Sequence, residues 1–121
     1  MENYVLVIDD DDDIHAMISD VLLGFDIKVC CARGGHDGLF YLRQSIPALI
    51  ILDLCMPHLT GWDLVKQIRD NPTLTEIPIV VLTSFPVDLR LASSLGLPPE
   101  SIVRKSHILT ELPEVVGKIM E

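Results

Sequence analysis

Residues 4–17 read YVLVIDDDDDIHAM. Five apolar or aromatic residues, Tyr4 to Ile8, run straight into five aspartates, Asp9 to Asp13, and an apolar pattern resumes at Ile14. An apolar run without alternation marks a strand buried on both faces, as in a parallel sheet. Beyond the acids the period changes. Ile14, Met17, Ile18, Val21 and Leu22 make one helical stripe, with Gly24 as its expected stop. The acids therefore sit at a strand-to-helix junction. They are a solvated tract, a calcium loop, or a metal-dependent site in which some of them cap the helix. The calcium loop fails. Asp9, Asp11, Asp13 and Asp20 have its spacing, but Ile14 stands where its tight turn needs glycine, and a strand rather than a helix precedes it.

The same alternation continues along the chain. Further apolar runs lie at Ile27–Cys31, Leu49–Leu54, Pro78–Thr83 and Ser101–Arg104. Helical stripes fall between them, at about His36–Ser45, Thr60–Asp70 and Val87–Leu95, the last closed by Gly96. A fifth helix is expected after Thr110 as N-cap, with Pro113 tolerated in its first turn. Strand and helix alternating five times predict an α/β domain of parallel strands with helices on both faces, one domain over residues 1–121.

Composition excludes several classes. Apolar residues make up 49% of the chain and its mean hydropathy is +0.39, enough for a core and too apolar for disorder. No apolar run is long enough to span a bilayer, and no basic start precedes the first one, so a soluble, cytoplasmic protein is expected. The formal net charge of −9 argues against binding nucleic acid or anionic membrane. Cys30, Cys31 and Cys55 lack zinc or disulfide spacing and read as small buried hydrophobes. His15, His36, His58 and His107 read as surface or structural residues.

Ligands of open parallel sheets bind beyond the carboxyl ends of the strands. Asp9 and Asp10 follow the first run, Asp53 ends the third, Thr83 ends the fourth and Lys105 follows the fifth. The second run contributes no such group, as expected of an outer strand. Three carboxylates about 5 Å apart repel by about 3 kcal/mol per pair at an effective dielectric near 20. Such a cluster needs a cation or a raised pKa. Lys105 offsets part of the repulsion, and a divalent ion offsets more. Few carboxylates with room for water suit Mg²⁺. With the Thr83 hydroxyl and the Lys105 ammonium, the set describes a site for phosphoryl transfer onto a carboxylate, or for hydrolysis of such an ester.

These residues also match a family. "VLVIDD", "ILDLCMPHLTGWDL", "VVLTS" and "IVRKS" resemble the acidic pair, phosphoacceptor, threonine and lysine motifs of response-regulator receiver domains, the two-component signalling modules that include chemotaxis regulators. The resemblance covers nearly the whole chain, and the run from Asp53 to Gly61 is its most specific part. It implies a flavodoxin-like, doubly wound five-stranded parallel sheet of order 2-1-3-4-5. It implies that Asp53 accepts a phosphoryl group from a histidine kinase or histidine phosphotransfer protein. Asp10, Asp53 and the Cys55 carbonyl would hold Mg²⁺, Asp9 would act through a metal-bound water, and Thr83 and Lys105 would engage the phosphoryl oxygens. The output would be a changed surface read by a downstream protein. The only chemistry would be the domain's own phosphoryl transfer and autodephosphorylation, so no separate enzyme is expected. The start at Met1 inclines the expectation to a stand-alone regulator, with a receiver cut from a longer chain as the alternative.

Three departures stand out. Ser106 follows the lysine where the family commonly has proline, often after a cis bond; a cis bond before serine costs about 3 kcal/mol. Ile102 replaces the aromatic that often couples to the threonine. The segment from Ser84 to Pro99 is unusually apolar, either partner surface or extra core, with Pro86 fitting a first helical turn. Cys55 and Phe85 occupy positions that tune phosphoryl lifetime in the family. Neither positions water easily, so slow self-dephosphorylation is expected. Gly61 is expected to serve backbone geometry, and Met56 and Trp62 packing. Two rival classes remain. An aspartyl-nucleophile phosphatase would need a second aspartate where Cys55 stands. A receiver-like interaction module that is no longer phosphorylated would not need the full set of acids, threonine and lysine.

Overall fold

The computed structural model describes residues 4–55 and 60–121. Five strands, β1 (Tyr4–Ile8), β2 (Lys28–Ala32), β3 (Leu49–Asp53), β4 (Ile79–Thr83) and β5 (Ile102–Arg104), alternate with five helices. The helices are α1 (Asp12–Leu22), α2 (Gly35–Gln44), α3 (Gly61–Asp70), α4 (Leu89–Ser94) and α5 (Ile108–Ile119). The sheet order is β2-β1-β3-β4-β5, and every pairing is parallel. This is the doubly wound, flavodoxin-like topology expected from the sequence.

The unbroken apolar runs fill both faces of the sheet. β1, β3 and β4 are buried at every position. On one face Val5, Val7, Ile51, Val80, Leu82 and Val103 pack against Ile14, Ile18 and Leu22 of α1 and Ile108, Leu112 and Val116 of α5. On the other, Leu6, Ile8, Ile50, Leu52 and Val81 meet Leu42 of α2, Leu64, Val65 and Ile68 of α3, and Ala92 of α4. Each fully buried leucine or isoleucine, such as Ile18 or Ile68, contributes about 1.5–3 kcal/mol.

Several local expectations are corrected. Gly24 does not end α1. The chain tightens into a 3₁₀ turn over Leu23–Phe25, and Asp26 takes the left-handed conformation at φ 51°. Gly96 does close α4 in that conformation, at φ 72°. Pro86 lies in the loop before α4, whose N-cap is Asp88, with its carboxylate accepting from Arg90 N and Leu91 N. α5 begins earlier than expected because a 3₁₀ turn, Lys105–His107, runs directly into it. Thr110 is thus inside the helix, its hydroxyl donating to His107 O, and Pro113 lies beyond the first turn. Of the apolar α4 segment only Ala92 is buried in the helix itself, while Phe85, Leu89 and Leu91 are exposed. The cysteines are not buried either. Cys31 is exposed and Cys30 half-buried, because β2 is an outer strand with its far edge open, and Cys55 is exposed in the loop after β3. Met56 and His58 lie outside the described residues. Among the described residues there is no cis peptide bond, so the Lys105–Ser106 bond is trans, and no helix is long and apolar enough to cross a membrane.

Candidate functional site

The parallel register carries the site residues to one edge. Ile8 pairs with Leu52, which sets Asp9 beside Asp53; Asp53 itself pairs with Leu82 and Thr83 with Arg104. Asp9 and Asp53 are buried, Asp10 is exposed, and one carboxylate oxygen from each of the three lies within 4.8 Å of the others. Lys105, from the turn after β5, places its Nζ 3.1 Å from Asp53 Oδ2 and 3.3 Å from Asp9 Oδ2.

Each acid is aimed by the backbone that follows it. Asp9 Oδ1 accepts from Asp11 N at 2.9 Å, and Asp53 Oδ1 accepts from Cys55 N at 3.0 Å. One oxygen of each is thus spent on its own turn, and the Oδ2 atoms face Lys105. Burial raises the Asp9 carboxyl above the usual aspartate range; the Asp11 N–H opposes this, the Asp53 charge adds to it, and the Lys105 charge opposes it. Burial works against the charge on Lys105. The hydrogen bond to Asp53 and the two carboxylate charges outweigh it, so the ammonium titrates above the ordinary lysine range. The lysine is therefore charged at neutral pH and neutralises only part of the cluster.

Thr83 ends β4 at the same edge, with its hydroxyl already engaged. Its Oγ1 donates to Phe85 O at 2.8 Å and accepts from Phe85 N at 3.0 Å, closing its own loop. Ile102 sits beside this loop, lining a cleft of about 640 Å³ with Thr83, Phe85, Val87 and Leu89. Cys55 is exposed with its amide engaged on Asp53.

Gly61 fixes the other wall. Its N donates to Leu54 O at 3.1 Å. A Cβ there would fall on the Asp53 carbonyl oxygen and the Leu54 Cα, closer than side chains tolerate, and 3.0 Å from Leu52 Cδ1. The start of α3 is thus pressed against the end of β3, and Thr60 caps it by accepting from Asp63 N. Trp62 is partly buried against the core on the α2–α3–α4 side. A residue that sequence reasoning passed over also belongs here. His15 is buried, and its Nε2 lies 2.7 Å from Asp9 O. It follows Ile14 directly and lies off the stripe of Ile14, Met17, Ile18, Val21 and Leu22, so the sequence carries no signal for this hydrogen bond.

A parallel α/β sheet with an acid cluster and one lysine at its carboxyl edge can hold a divalent cation and a small polyanion. The family model of the response regulator receiver domain matches residues 5–116, and the chain belongs to that family. A probable cyclic di-GMP phosphodiesterase of Vibrio cholerae is 34% identical over 116 residues, covering 89% of this chain and 26% of that protein. The chain thus spans about a quarter of the length of that relative. The two-component response regulator ORR5 of Oryza sativa is 31% identical over 118 residues, covering 97% of this chain and 88% of the relative. Among solved structures, Vibrio cholerae chemotaxis protein CheY4 superposes with a TM-score of 0.85 at 24% identity, covering 98% of this chain and 99% of that one. The Mn²⁺-bound form of response regulator Rcp1 gives 0.80 at 26% identity, covering 97% and 91%.

The ion this family implies is Mg²⁺, and the residues present fit it. The donors are hard carboxylate oxygens in one cluster. Asp9 Oδ2 is buried and, apart from its ion pair with Lys105, has no hydrogen-bond partner among the described residues. A buried acceptor of this kind suits a further cation or its bound water.

Proposed function

We propose that this chain is a phosphorylation-dependent signalling switch whose phosphoacceptor is Asp53, with residues 1–121 acting as one receiver domain. The observation that carries the proposal is Lys105 Nζ bridging Asp53 Oδ2 and Asp9 Oδ2 beside Asp10. A carboxylate oxygen of Asp53 attacks the phosphorus of a phosphohistidine on a histidine kinase or phosphotransfer protein. The P–N bond breaks, the imidazole leaves, and an acyl phosphate forms. Asp10, Asp53 and the Cys55 carbonyl would hold Mg²⁺, with Asp9 acting through a bound water. The ion would supply positive charge against the phosphoryl oxygens.

Lys105 already lies on Asp53 Oδ2 and needs little movement to pair with a phosphoryl oxygen. Thr83 must move. Its hydroxyl now donates to Phe85 O, and turning toward a phosphoryl oxygen gives up that bond. The Ser84–Asp88 loop is then freed from its Thr83 anchor. Ile102, small and aliphatic beside that loop, leaves it room to repack, so the downstream protein reads a loop shift rather than an aromatic rotamer. Hydrolysis of the acyl phosphate restores the resting state. On this reading the protein acts in the cytoplasm, on protein partners and not on nucleic acid or membrane.

The test is treatment with acetyl phosphate and Mg²⁺, followed by intact mass measurement. One phosphoryl adduct is expected, absent in Asp53→Asn and in a chelator. No adduct would overturn the switch and leave the unphosphorylated interaction module; an adduct surviving in Asp53→Asn would overturn the assignment of the acceptor.

A further inference from the structure

His15 is the one buried histidine among the described residues, and nothing in the phosphoryl chemistry uses it. It is the fourth residue of α1, yet its ring points back to the end of β1. Nε2 lies 2.7 Å from the Asp9 carbonyl oxygen, six residues earlier. A carbonyl only accepts, so Nε2 carries the proton and donates. Nδ1 is buried with no partner among the described residues. The ring is therefore held for one hydrogen bond.

That bond lands on a particular peptide. Asp9 is fully buried, and β1 ends at Ile8, so the Asp9 carbonyl lies beyond the strand's assigned end. Asp9 N is tied to Ala32 O at 3.0 Å and Asp9 Oδ1 to Asp11 N at 2.9 Å. The carbonyl is the remaining main-chain group of that residue, and it belongs to the peptide that joins Asp9 to Asp10. Rotation of this peptide would swing the Asp10 carboxylate relative to Asp9, while a buried carbonyl left without a donor would favour such a rotation.

We propose that His15 is a positioning residue: its Nε2–H clamps the Asp9–Asp10 peptide and thereby fixes how the two carboxylates jointly grip a divalent cation. The inference rests on the reading of these acids as a cation site, and it assigns no proton transfer to the imidazole. The donor, not the ring's bulk, is what matters. Glutamine can supply a donor of similar reach, and leucine fills similar space without one.

The experiment uses Mn²⁺ alone, with the free ion counted by electron paramagnetic resonance, and the melting temperature of each variant in chelator. His15→Leu should bind Mn²⁺ at least five-fold more weakly and melt somewhat lower in chelator, because the Asp9 carbonyl is left without its donor. His15→Gln should restore binding to within about two-fold. Leucine binding as tightly as wild type would overturn the proposal. Equal weakening in both variants would also overturn it, because ring packing rather than the donor would then be responsible. If His15→Leu does not fold, His15→Met carries the same comparison. If wild type and Asp10→Ala bind Mn²⁺ alike, the cation-site reading fails, and that outcome is separate from any result at His15.

Discussion

Replacing Lys105 by methionine isolates the electrostatics of the site. The side chain keeps its length and loses its charge, and two buried carboxylates lose the ammonium that lies 3.1 and 3.3 Å away. Stripping a buried carboxylate of its partner costs about 3–5 kcal/mol. Lys105 retains 21% of its side-chain exposure, so water relieves part of the loss, and about 3 kcal/mol is the expected figure at neutral pH. At about 2.1 cal/mol/K of unfolding entropy per residue over 121 residues, that lowers the melting temperature by about 12 °C in metal-free buffer.

The loss depends on pH with a definite sign. The folded Asp9 carboxyl titrates above its unfolded value. Such a group contributes its stability in full below the unfolded pKa and loses it as pH rises through the folded pKa. Lys105 opposes that rise, so its removal shifts Asp9 further up and deepens the loss toward neutral pH. The raised Lys105 pKa acts at the other end, where its contribution disappears only above the ordinary lysine range. Urea unfolding in chelator should therefore show a deficit under about 1 kcal/mol near pH 4, growing to about 3 near pH 8. Saturating Mg²⁺ should shrink the deficit, and the variant should bind Mg²⁺ more tightly than wild type. Equal deficits at both pH values, or a melting shift under about 3 °C near pH 8, would refute the reasoning.

Gly61→Ala should cost about 3 kcal/mol in urea unfolding, because the added methyl meets the backbone of Asp53 and Leu54 rather than a flexible side chain; phosphorylation of Asp53 should slow with it. Asp10→Ala should abolish Mg²⁺ binding in calorimetry. Asp12→Ala should leave it nearly intact, since Asp12 is exposed in α1 and paired at 2.6 Å with Arg33, at a cost of about 0.5 kcal/mol. Cys55→Asn with Phe85→Glu should shorten the half-life of the acyl phosphate, measured by its decay after removal of donor. A sharply longer half-life would show that these positions do not hinder the attacking water.

The sheet was legible because parallel strands buried on both faces leave runs such as Leu49–Leu52 that no other element explains. The carboxyl-edge rule then gathered Asp9, Asp10, Asp53 and Lys105, since parallel register carries every strand end to the same side. Boundaries were less legible, because they depend on tertiary supply of hydrogen-bond partners. The start of α5 looked like Thr110, a good cap by residue type. The chain instead winds out of Lys105 in a 3₁₀ turn, and the cap position falls to His107, which makes no side-chain cap hydrogen bond. The adjacent Cys30 and Cys31 looked buried because the run containing them is apolar, although the same sequence reading placed β2 at the outer edge of the sheet, where Cys31 is exposed. His15 was invisible for another reason. Its partner is a main-chain carbonyl, and a carbonyl leaves no trace in residue identity.

The five aspartates show the same limit at its sharpest. Identical letters take distinct environments over five residues. Asp9 is buried and paired to Lys105, and Asp10 is exposed yet within the acid cluster. Asp11 caps α1 by accepting from Asp13 N at 2.9 Å, and Asp12 faces Arg33 across the surface. Nothing in the side chains distinguishes them; the turn of the backbone does. Asp9 Oδ1 accepts from Asp11 N, so the first site acid also helps shape the turn that ends in the helix cap. The boundary between Asp10 and Asp11 divides chemistry from capping, but the two functions share that hydrogen bond. A substitution at Asp9 should therefore disturb the entry to α1 as well as the cation site, whereas one at Asp12 should disturb neither strongly.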